Sequence, residues 1–113
     1  MSYVPDVGDL VKLDLDRPIG HEEAGWRPAI VLSPKSYNGL VGLAVVAPIT
    51  NQSKDYPFEV LLPSGLKITG VVLSDHVRSV NWKAGRMRYK DKAPAKVLED
   101  VQEKLHLLLF SGQ

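Results

Sequence analysis

Hydrophobic and polar residues alternate along much of the chain with the period of a β-strand. Residues 11–16 switch strictly between apolar and charged side chains, which predicts a strand with one buried and one solvated face. Further short strands are predicted at 27–34, 40–50, 58–62, 71–75 and 77–82. Pro48 interrupts the second of these runs, and a proline inside a strand predicts a sheet edge or a bulge. Residues 35–39 predict a turn, and 17–26 and 51–57 predict polar loops.

The carboxy-terminal segment 93–110 changes to helical spacing. Its apolar residues form one stripe, made of Val97, Leu98, Val101, Leu105, Leu108 and Leu109. Pro94 suits the first helical turn, and Asp100 and Lys104 are spaced for an i,i+4 ion pair. Five or more short strands followed by one helix predict a small β-barrel, or a strongly coiled sheet, with the helix packed on it.

Composition fits one compact domain and removes several classes of function. The 113 residues, 44% hydrophobic and 24% charged, are typical of a single globular domain, here residues 1–113. Because the chain has no cysteine, disulfides, thiolate metal sites and cysteine nucleophiles are excluded. The sequence shows no secretory signal and no apolar run long enough to cross a membrane. We therefore expect a cytoplasmic protein without membrane contact.

The sequence carries no motif for a metal or a cofactor. The three histidines, His21, His76 and His106, are not spaced as a ligand pair. The metalloprotease pattern H-E-x-x-H, the phosphate-binding P-loop, G-x-G-x-x-G and G-x-S-x-G do not occur. The sequence therefore predicts neither a metal site nor a cofactor.

The net charge is only +1, but the charges are unevenly distributed. Between Arg78 and Lys92 lie six basic residues and a single acid, Asp91, whereas acidic residues dominate the amino-terminal part. Such asymmetry favours a nucleic-acid partner. A solvated hairpin before the helix explains the same basic segment equally well, so charge alone leaves both interpretations open.

Polar residues with suitable chemistry stand at the ends of predicted apolar strands. Arg27 begins one strand, Thr50 ends another, and Asp75 ends a third. An arginine can hold two phosphate oxygens, a threonine can donate to a third, and Asp75 or His21 can take a proton from a ribose 2′-hydroxyl. Together they would cleave RNA without a metal and leave a cyclic phosphate and a free 5′-hydroxyl. Purely structural roles for each residue remain open, because no spacing here is specific enough to exclude them.

Several longer segments match one known family. They are "YVPDVGDLVKLDLD", "GHEEAGWRPAIVLSP", "YNGLVGLAVVAPIT", "QSKDYPFEVLLP" and "GVVLSDHVRSVNWKAG". The pattern Gly-x-Glu-x-x-Gly-x-Arg-Pro, followed downstream by Pro-x-Thr and Ser-Lys, is a specific combination. In these segments the chain resembles the MazF/PemK family of toxin endoribonucleases. The resemblance implies an SH3-like β-barrel (MazF/PemK/CcdB-like), a homodimer, and metal-independent, sequence-specific cleavage of single-stranded RNA, often mRNA.

The resemblance also implies roles for individual residues. Arg27 and Thr50 match the family's catalytic arginine and threonine, Glu22 matches an acidic residue of its loop, and Asp75 matches a carboxylate that the plasmid-borne branch uses as a base. Base readout is expected from the loops 17–26 and 51–57. The expected RNA contacts are His21, Trp26, Asn51, Gln52, Ser53, Lys54, Arg78, Lys83 and Arg86.

One position departs from the family pattern. The plasmid-borne branch places an arginine two residues before its aspartate, and Leu73 stands there in this chain. A mechanism that uses this second arginine as the acid cannot apply unchanged. Arg27 is then expected to act as the main cation and to stabilise the charge of the phosphorane.

Two other functions remain as alternatives. A related toxin architecture, CcdB-like, poisons DNA gyrase by binding, although such a protein would not need Arg27 with Thr50. A non-catalytic RNA-binding barrel would instead use Trp82, Tyr89 and the basic segment for stacking and phosphate contacts. The same segment is expected to bind a cognate acidic antitoxin that competes with RNA.

Overall fold

The computed structural model describes residues 3–14 and 25–111, which form seven strands and two helices. In chain order these elements are β1 (Asp9–Asp14), β2 (Trp26–Val31), α1 (Lys35–Val41), β3 (Ala44–Thr50), β4 (Glu59–Leu61), β5 (Val71–Leu73), β6 (Arg78–Val80), β7 (Arg88–Lys92) and α2 (Ala95–Phe110). The candidate residues His21 and Glu22 lie outside the described residues. Within the described ranges, neither helix has the length and apolar character needed to span a membrane.

The strands form an antiparallel sheet in the order β4-β5-β3-β2-β1-β7, and β6 is an additional partner of β3. β5 pairs with the end of β3 at Ile49 and Thr50, whereas β6 pairs with its start at residues 44–46. The partner of β3 therefore changes around Pro48. β3 is an interior strand and Pro48 is paired with Ala29 of β2, so the structure has a gap between two partner strands where a sheet edge or a bulge was predicted. Residues 74–77 connect the two partner strands and leave the ladder.

The sheet buries apolar residues on both faces, which gives two separate cores. The first core includes Leu10, Ile30, Ile49, Val72, Val97 and Val101. The second core includes Val11, Ala29, Val46, Val80, Trp82 and Met87. Successive residues of β1 and β2 point into different cores, as the alternation of side chains along a strand requires. Helix α2 contributes to the first core only.

Helix α2 packs only its first half against the sheet. It begins at Ala95, so Pro94 precedes the first helical turn in which it was predicted, and Val97 and Val101 of this helix are buried. The leucines and the phenylalanine of residues 107–110 are exposed. The apolar stripe predicted from the sequence is therefore present, but within one copy of the chain the sheet buries only the first half of it.

Two local predictions near the carboxy terminus are wrong. Asp100 forms its i,i+4 ion pair with Lys96, at an N–O distance of 3.1 Å. Lys104 instead donates to the carbonyl oxygen of Pro57 at 2.8 Å. The basic segment is not a hairpin, because β7 pairs with β1 and β6 pairs with β3. β7 therefore lies at an edge of the sheet and presents its cations there.

The segment 35–39, predicted as a turn, begins helix α1 instead. Its serine, tyrosine, asparagine and glycine have low helix propensity, so this helix depends on tertiary contacts. Asn38 is fully buried, donates Nδ2 to the carbonyls of Pro5 at 2.8 Å and Ser33 at 2.9 Å, and accepts from Ser33 Oγ at 2.6 Å. Its own carbonyl accepts from the indole N–H of Trp82 at 3.0 Å. Asn38 thus joins the amino-terminal segment, α1 and the second core.

Candidate active site

The antiparallel arrangement of β2 and β3 brings Arg27 and Thr50 to the same edge of the sheet. Ala29 lies opposite Pro48, and continuing this register by two residues places Arg27 level with Thr50. Arg27 is exposed and Thr50 is half-buried. The two residues expected to contact the scissile phosphate therefore come from strand ends that meet, although 22 residues separate them in the chain.

Two neighbouring cavities open at this edge. The first, of about 360 Å³, is lined by Thr50, Gln52, Lys54, Tyr56, Glu59, Leu73 and His76. The second, of about 320 Å³, has Arg27, His76 and Arg78 around an apolar floor that includes Leu13, Ala29 and Val46. His76 lines both cavities. The predicted catalytic pair is thus divided between two cavities that adjoin at one imidazole.

The loop 51–57 is held by hydrogen bonds, and these decide which of its side chains face the first cavity. Ser53 Oγ donates to Glu59 at 2.6 Å, and the backbone N–H of Lys54 donates to the same carboxylate at 2.9 Å. These hydrogen bonds lower the pKa of Glu59, with the Ser53 hydroxyl as the largest cause. Asn51 accepts from Thr69 at 3.1 Å. Of the four loop residues expected to contact RNA, Asn51 and Ser53 therefore hold the loop, and the other two line the cavity.

Asp75 lies in the turn between β5 and β6, and the protein already engages its carboxylate. Tyr56 Oη donates to Asp75 Oδ2 at 2.5 Å, and this hydrogen bond raises the pKa of Tyr56. Asp75 Oδ1 is buried and accepts no hydrogen bond from the described residues, while His76 Nε2 lies 3.7 Å away. Neither oxygen is presented openly to the cavities. This geometry suits a residue that orients its neighbours better than one that meets a 2′-hydroxyl directly.

Gly70 allows the close approach of two chain segments behind Thr50. Its φ is +121°, and a Cβ atom built on it would lie 2.4 Å from the carbonyl oxygen of Thr50. Thr50 also accepts at Oγ1 from the backbone N–H of Gln52 at 3.1 Å. The position of Thr50 therefore depends on a glycine that is adjacent in space and distant in sequence.

The basic residues gather around Trp26 instead of Trp82. The guanidinium of Arg88 lies 4.4 Å from the centre of the Trp26 ring and that of Arg86 lies 5.7 Å away. Arg86 also pairs with the buried Asp14 at 3.1 Å. Trp26, Arg88 and two lysines, Lys12 and Lys90, line a cleft of about 400 Å³. Because Trp26 and Arg27 are successive strand residues, their side chains point to opposite faces of the sheet.

The prediction that Trp82 offers a stacking surface is wrong. Trp82 is only 6% exposed and donates its indole N–H to Asn38, so it belongs to the second core. Lys83 lies over that buried ring, 5.4 Å from its centre, and is not a lining residue of the Trp26 cleft. Tyr89 is exposed and packs near Tyr3, with ring centres 6.0 Å apart.

Most of the candidate residues that the structure describes fall into three groups. Thr50, Gln52 and Lys54 line the first cavity, with Asp75 beside it. Arg27 and Arg78 line the second cavity, Trp26 lines the basic cleft, and Arg86 lies over the Trp26 ring. The remaining three, Asn51, Ser53 and Lys83, line none of these sites. Sequence reasoning missed Tyr56 and His76. The available signals were an aromatic residue within a polar loop and a histidine directly after the strand-end aspartate.

The described residues contain no group of three or more histidine, aspartate or glutamate side chains placed to hold a metal ion. The polar side chains at the two cavities are instead guanidinium, ammonium, hydroxyl, carboxylate and imidazole groups. These are groups that bind a phosphodiester and move its protons. The fold and this site define a small, mainly antiparallel β protein suited to phosphodiester chemistry.

Comparisons with known proteins assign this small β protein to a family. A family model described as PemK-like, MazF-like toxin of type II toxin–antitoxin system matches residues 6–109. The endoribonuclease toxin MazF of Escherichia coli K12 is 45% identical, covering 95% of this chain and 96% of that protein. The endoribonuclease PemK of Escherichia coli is 31% identical, covering 90% and 80%. The chain belongs to the PemK/MazF family of type II toxins and is an endoribonuclease.

Solved structures agree with this assignment. MazF from Deinococcus radiodurans is 51% identical and matches with a TM-score of 0.86, covering 96% of this chain and 98% of that one. A MazE–MazF structure from the same organism matches at 48% identity, also with a TM-score of 0.86, over 96% and 97%. The expected fold, mainly β with a carboxy-terminal helix, is therefore confirmed.

Proposed function

We propose that this endoribonuclease cuts single-stranded RNA, including mRNA, at short sequence motifs, by attack of a ribose 2′-hydroxyl on the adjacent phosphorus. The observation that supports this proposal is the meeting of Arg27 and Thr50 at one sheet edge, beside two cavities that adjoin at His76. The reaction leaves a 2′,3′-cyclic phosphate and a free 5′-hydroxyl. It requires charge stabilisation and proton transfer, which side chains alone can supply.

In this proposal Arg27 stabilises the charge that develops on the non-bridging phosphate oxygens. A guanidinium stays protonated at any physiological pH, so electrostatic stabilisation is its simplest role. Thr50 donates its hydroxyl to another phosphate oxygen. Arg78, which also lines the second cavity, holds a neighbouring phosphate and contributes to binding. Gln52 and Lys54, which line the first cavity, read a base in this proposal.

The proposal is tested by cleavage of a synthetic single-stranded RNA in the presence of EDTA. Arg27→Ala is expected to lower kcat by roughly a hundredfold or more, the cost of losing one preorganised charge contact, and Thr50→Ala is also expected to lower it. Arg78→Ala is expected mainly to raise KM. Lys96→Ala, which changes an exposed cation on α2, serves as the matched control and is expected to cleave normally.

Both site variants are expected to fold, because Arg27 is exposed and Thr50 is only half-buried. Circular dichroism and thermal unfolding check this. A folded Arg27→Ala protein with full activity would refute the assignment. Activity that chelation abolishes and magnesium restores would refute the metal-independent mechanism.

We further propose that the chain, one domain over residues 1–113, acts in the cytoplasm, where mRNA is available, and forms a homodimer. Leu61, Leu107 and Phe110 each expose more than half of their surface, and α2 packs against β4. A second copy would cover this apolar patch. Light scattering in dilute solution should give about twice the mass of the chain, and a strict monomer would contradict the proposal.

A cognate acidic antitoxin is the second proposed partner. Two structural relatives, one from Deinococcus and one from a mycobacterial species, are toxin–antitoxin complexes. In this chain the basic cleft around Trp26 offers several cations within a small area, which suits an acidic peptide segment. The two alternative functions have less support: the relatives compared above are named endoribonucleases, and an RNA-binding surface built on Trp82 is unavailable because Trp82 is buried.

A further inference from the structure

His76 occupies the one position in the described residues that lines both cavities of the candidate site. It lies in the turn 74–77, where the partner of β3 changes from β5 to β6. Its side chain is 55% exposed. Thr50 lines the cavity on one side and Arg27 lines the cavity on the other. A phosphodiester held between Arg27 and Thr50 would therefore lie beside this imidazole.

Asp75 is placed to act on His76 and is poorly placed to act on RNA. Its Oδ2 is occupied by the Tyr56 hydroxyl at 2.5 Å. Its Oδ1 is buried, accepts no hydrogen bond from the described residues, and lies 3.7 Å from His76 Nε2. This separation is within the range of an ion pair and too long for a hydrogen bond, so the carboxylate stabilises the imidazolium when it forms. Asp75 thus has the geometry of a positioning residue.

We propose that His76 is the general base of the cleavage reaction. The neutral ring takes the proton of the ribose 2′-hydroxyl, and the Asp75 carboxylate stabilises the imidazolium that forms. The 2′-oxygen forms its bond to phosphorus, the bond from phosphorus to the 5′-oxygen breaks, and that oxygen takes a proton from solvent water. The imidazolium then returns its proton to solvent. Tyr56 acts one step further away, because its hydrogen bond holds Asp75. This inference rests on the proposed transesterification.

The groups around His76 give the reaction a simple expected pH dependence. The titratable and charged described residues that face it are Asp75 from its own turn, Lys54, Tyr56 and Glu59 in the first cavity, and Arg27 and Arg78 in the second. Glu59 is held as a carboxylate by Ser53 and the Lys54 backbone. A general base accepts a proton only while it is unprotonated, so kcat/KM is expected to fall as the pH is lowered from about 8 to about 5.

The test is single-turnover cleavage of a synthetic single-stranded RNA across this pH range. His76→Ala is expected to cleave roughly a hundredfold or more slowly and to lose the rise of rate with pH. His106→Ala is the matched control, because His106 is exposed on α2 and lines neither cavity. It should keep the normal rate and profile. Tyr56→Phe, which keeps the ring and removes the hydroxyl, should lower kcat with little change in KM.

A second substrate separates the base from an acid. When sulfur replaces the bridging 5′-oxygen, the leaving thiolate needs no proton. His76→Ala is expected to stay slow on this substrate, and recovery of the normal rate would overturn the assignment as a base. A folded His76→Ala protein that cleaves ordinary RNA normally would overturn the inference altogether. If the unaltered protein cleaved no RNA, the proposed function itself would fail, so the two failures are distinguishable.

Discussion

Gly70→Ala adds a single methyl group behind Thr50, and the structure predicts how far this methyl group displaces Thr50. The new Cβ would lie 2.4 Å from the Thr50 carbonyl oxygen and 2.8 Å from its carbonyl carbon, whereas ordinary contacts begin near 3.4 Å. Neither segment can yield easily. Thr50 is paired with Val71 in the sheet, and the carbonyl of Gly70 accepts from Leu62 N at 3.0 Å. The strand end must therefore move by about 1 Å, a misplacement that can cost a catalyst roughly a hundredfold.

The same substitution also strains the backbone, and a second glycine isolates that effect. Gly70 and Gly65 both have positive φ, +121° and +96°, but a Cβ atom at Gly65 meets nothing within 4 Å. A side chain at positive φ costs on the order of 1–2 kcal/mol. Gly65→Ala should lose about that much unfolding free energy and cleave RNA at the normal rate. Gly70→Ala should lose more stability and, in addition, cleave roughly a hundredfold more slowly.

Urea denaturation gives the two free energies, and single-turnover cleavage at a temperature where both variants are folded gives the two rates. A hundredfold loss corresponds to about 2.7 kcal/mol in the activation barrier. If Gly70→Ala cleaved as fast as Gly65→Ala, the contact behind Thr50 would have no influence on the reaction. Gly70 would then have no part in positioning the Thr50 hydroxyl.

Two further predictions concern the core and the basic cleft. Asn38→Ala removes three buried side-chain hydrogen bonds and should lower the unfolding free energy by about 3 kcal/mol or more. In the same urea experiment the exposed Asn81→Ala should cost under about 1 kcal/mol, and equal losses would contradict this role of Asn38. Reversing the charges of Lys83, Arg86 and Arg88 together should weaken binding of RNA and of a cognate acidic antitoxin at low salt. Because Lys83 lies over the buried Trp82, its reversal alone should matter less than that of Arg88, and unchanged affinities after triple reversal would make the segment an ordinary solvated surface.

Periodicity predicted those parts of the fold in which local pattern and tertiary environment agree. The alternation in residues 11–16 predicted a strand, and β1 covers that segment as far as Asp14. The solvated face predicted with it is wrong, because Leu10 and Asp14 are buried as well and only Lys12 is exposed. Helix α2 begins at Ala95, one residue after the proline that was predicted to lie in its first turn. Arg27 and Thr50 were identified as strand-end residues because apolar runs stop at polar residues. Their meeting at one edge follows from antiparallel pairing, which the sequence pattern alone does not specify.

Contacts between distant segments account for the predictions that were wrong. Helix α1 forms from residues with low helix propensity because Asn38 is satisfied by partners from three segments. Trp82 follows a short alternating segment and carries a polar N–H, so the sequence does not reveal whether its ring faces solvent or the core. The Tyr56–Asp75 hydrogen bond spans 19 residues. Its existence depends on where the loop 51–57 lies over the sheet, and no local pattern encodes that position.

The change of partner strand along β3 determines where Asp75 and His76 lie relative to the cavities. A proline has no N–H to donate to a neighbouring strand. β3 pairs with β6 as far as Val46 and with β5 from Ile49 onwards, so Pro48 lies in the gap between the two partners. The chain between the two partner strands is therefore released from the ladder as the turn 74–77. Asp75 and His76 lie in that turn, beside the end of β3 where Thr50 stands and across from Arg27 on β2. An unbroken partner strand would direct these residues alternately to the two faces of the sheet, and the carboxylate would no longer lie beside an imidazole that reaches both cavities.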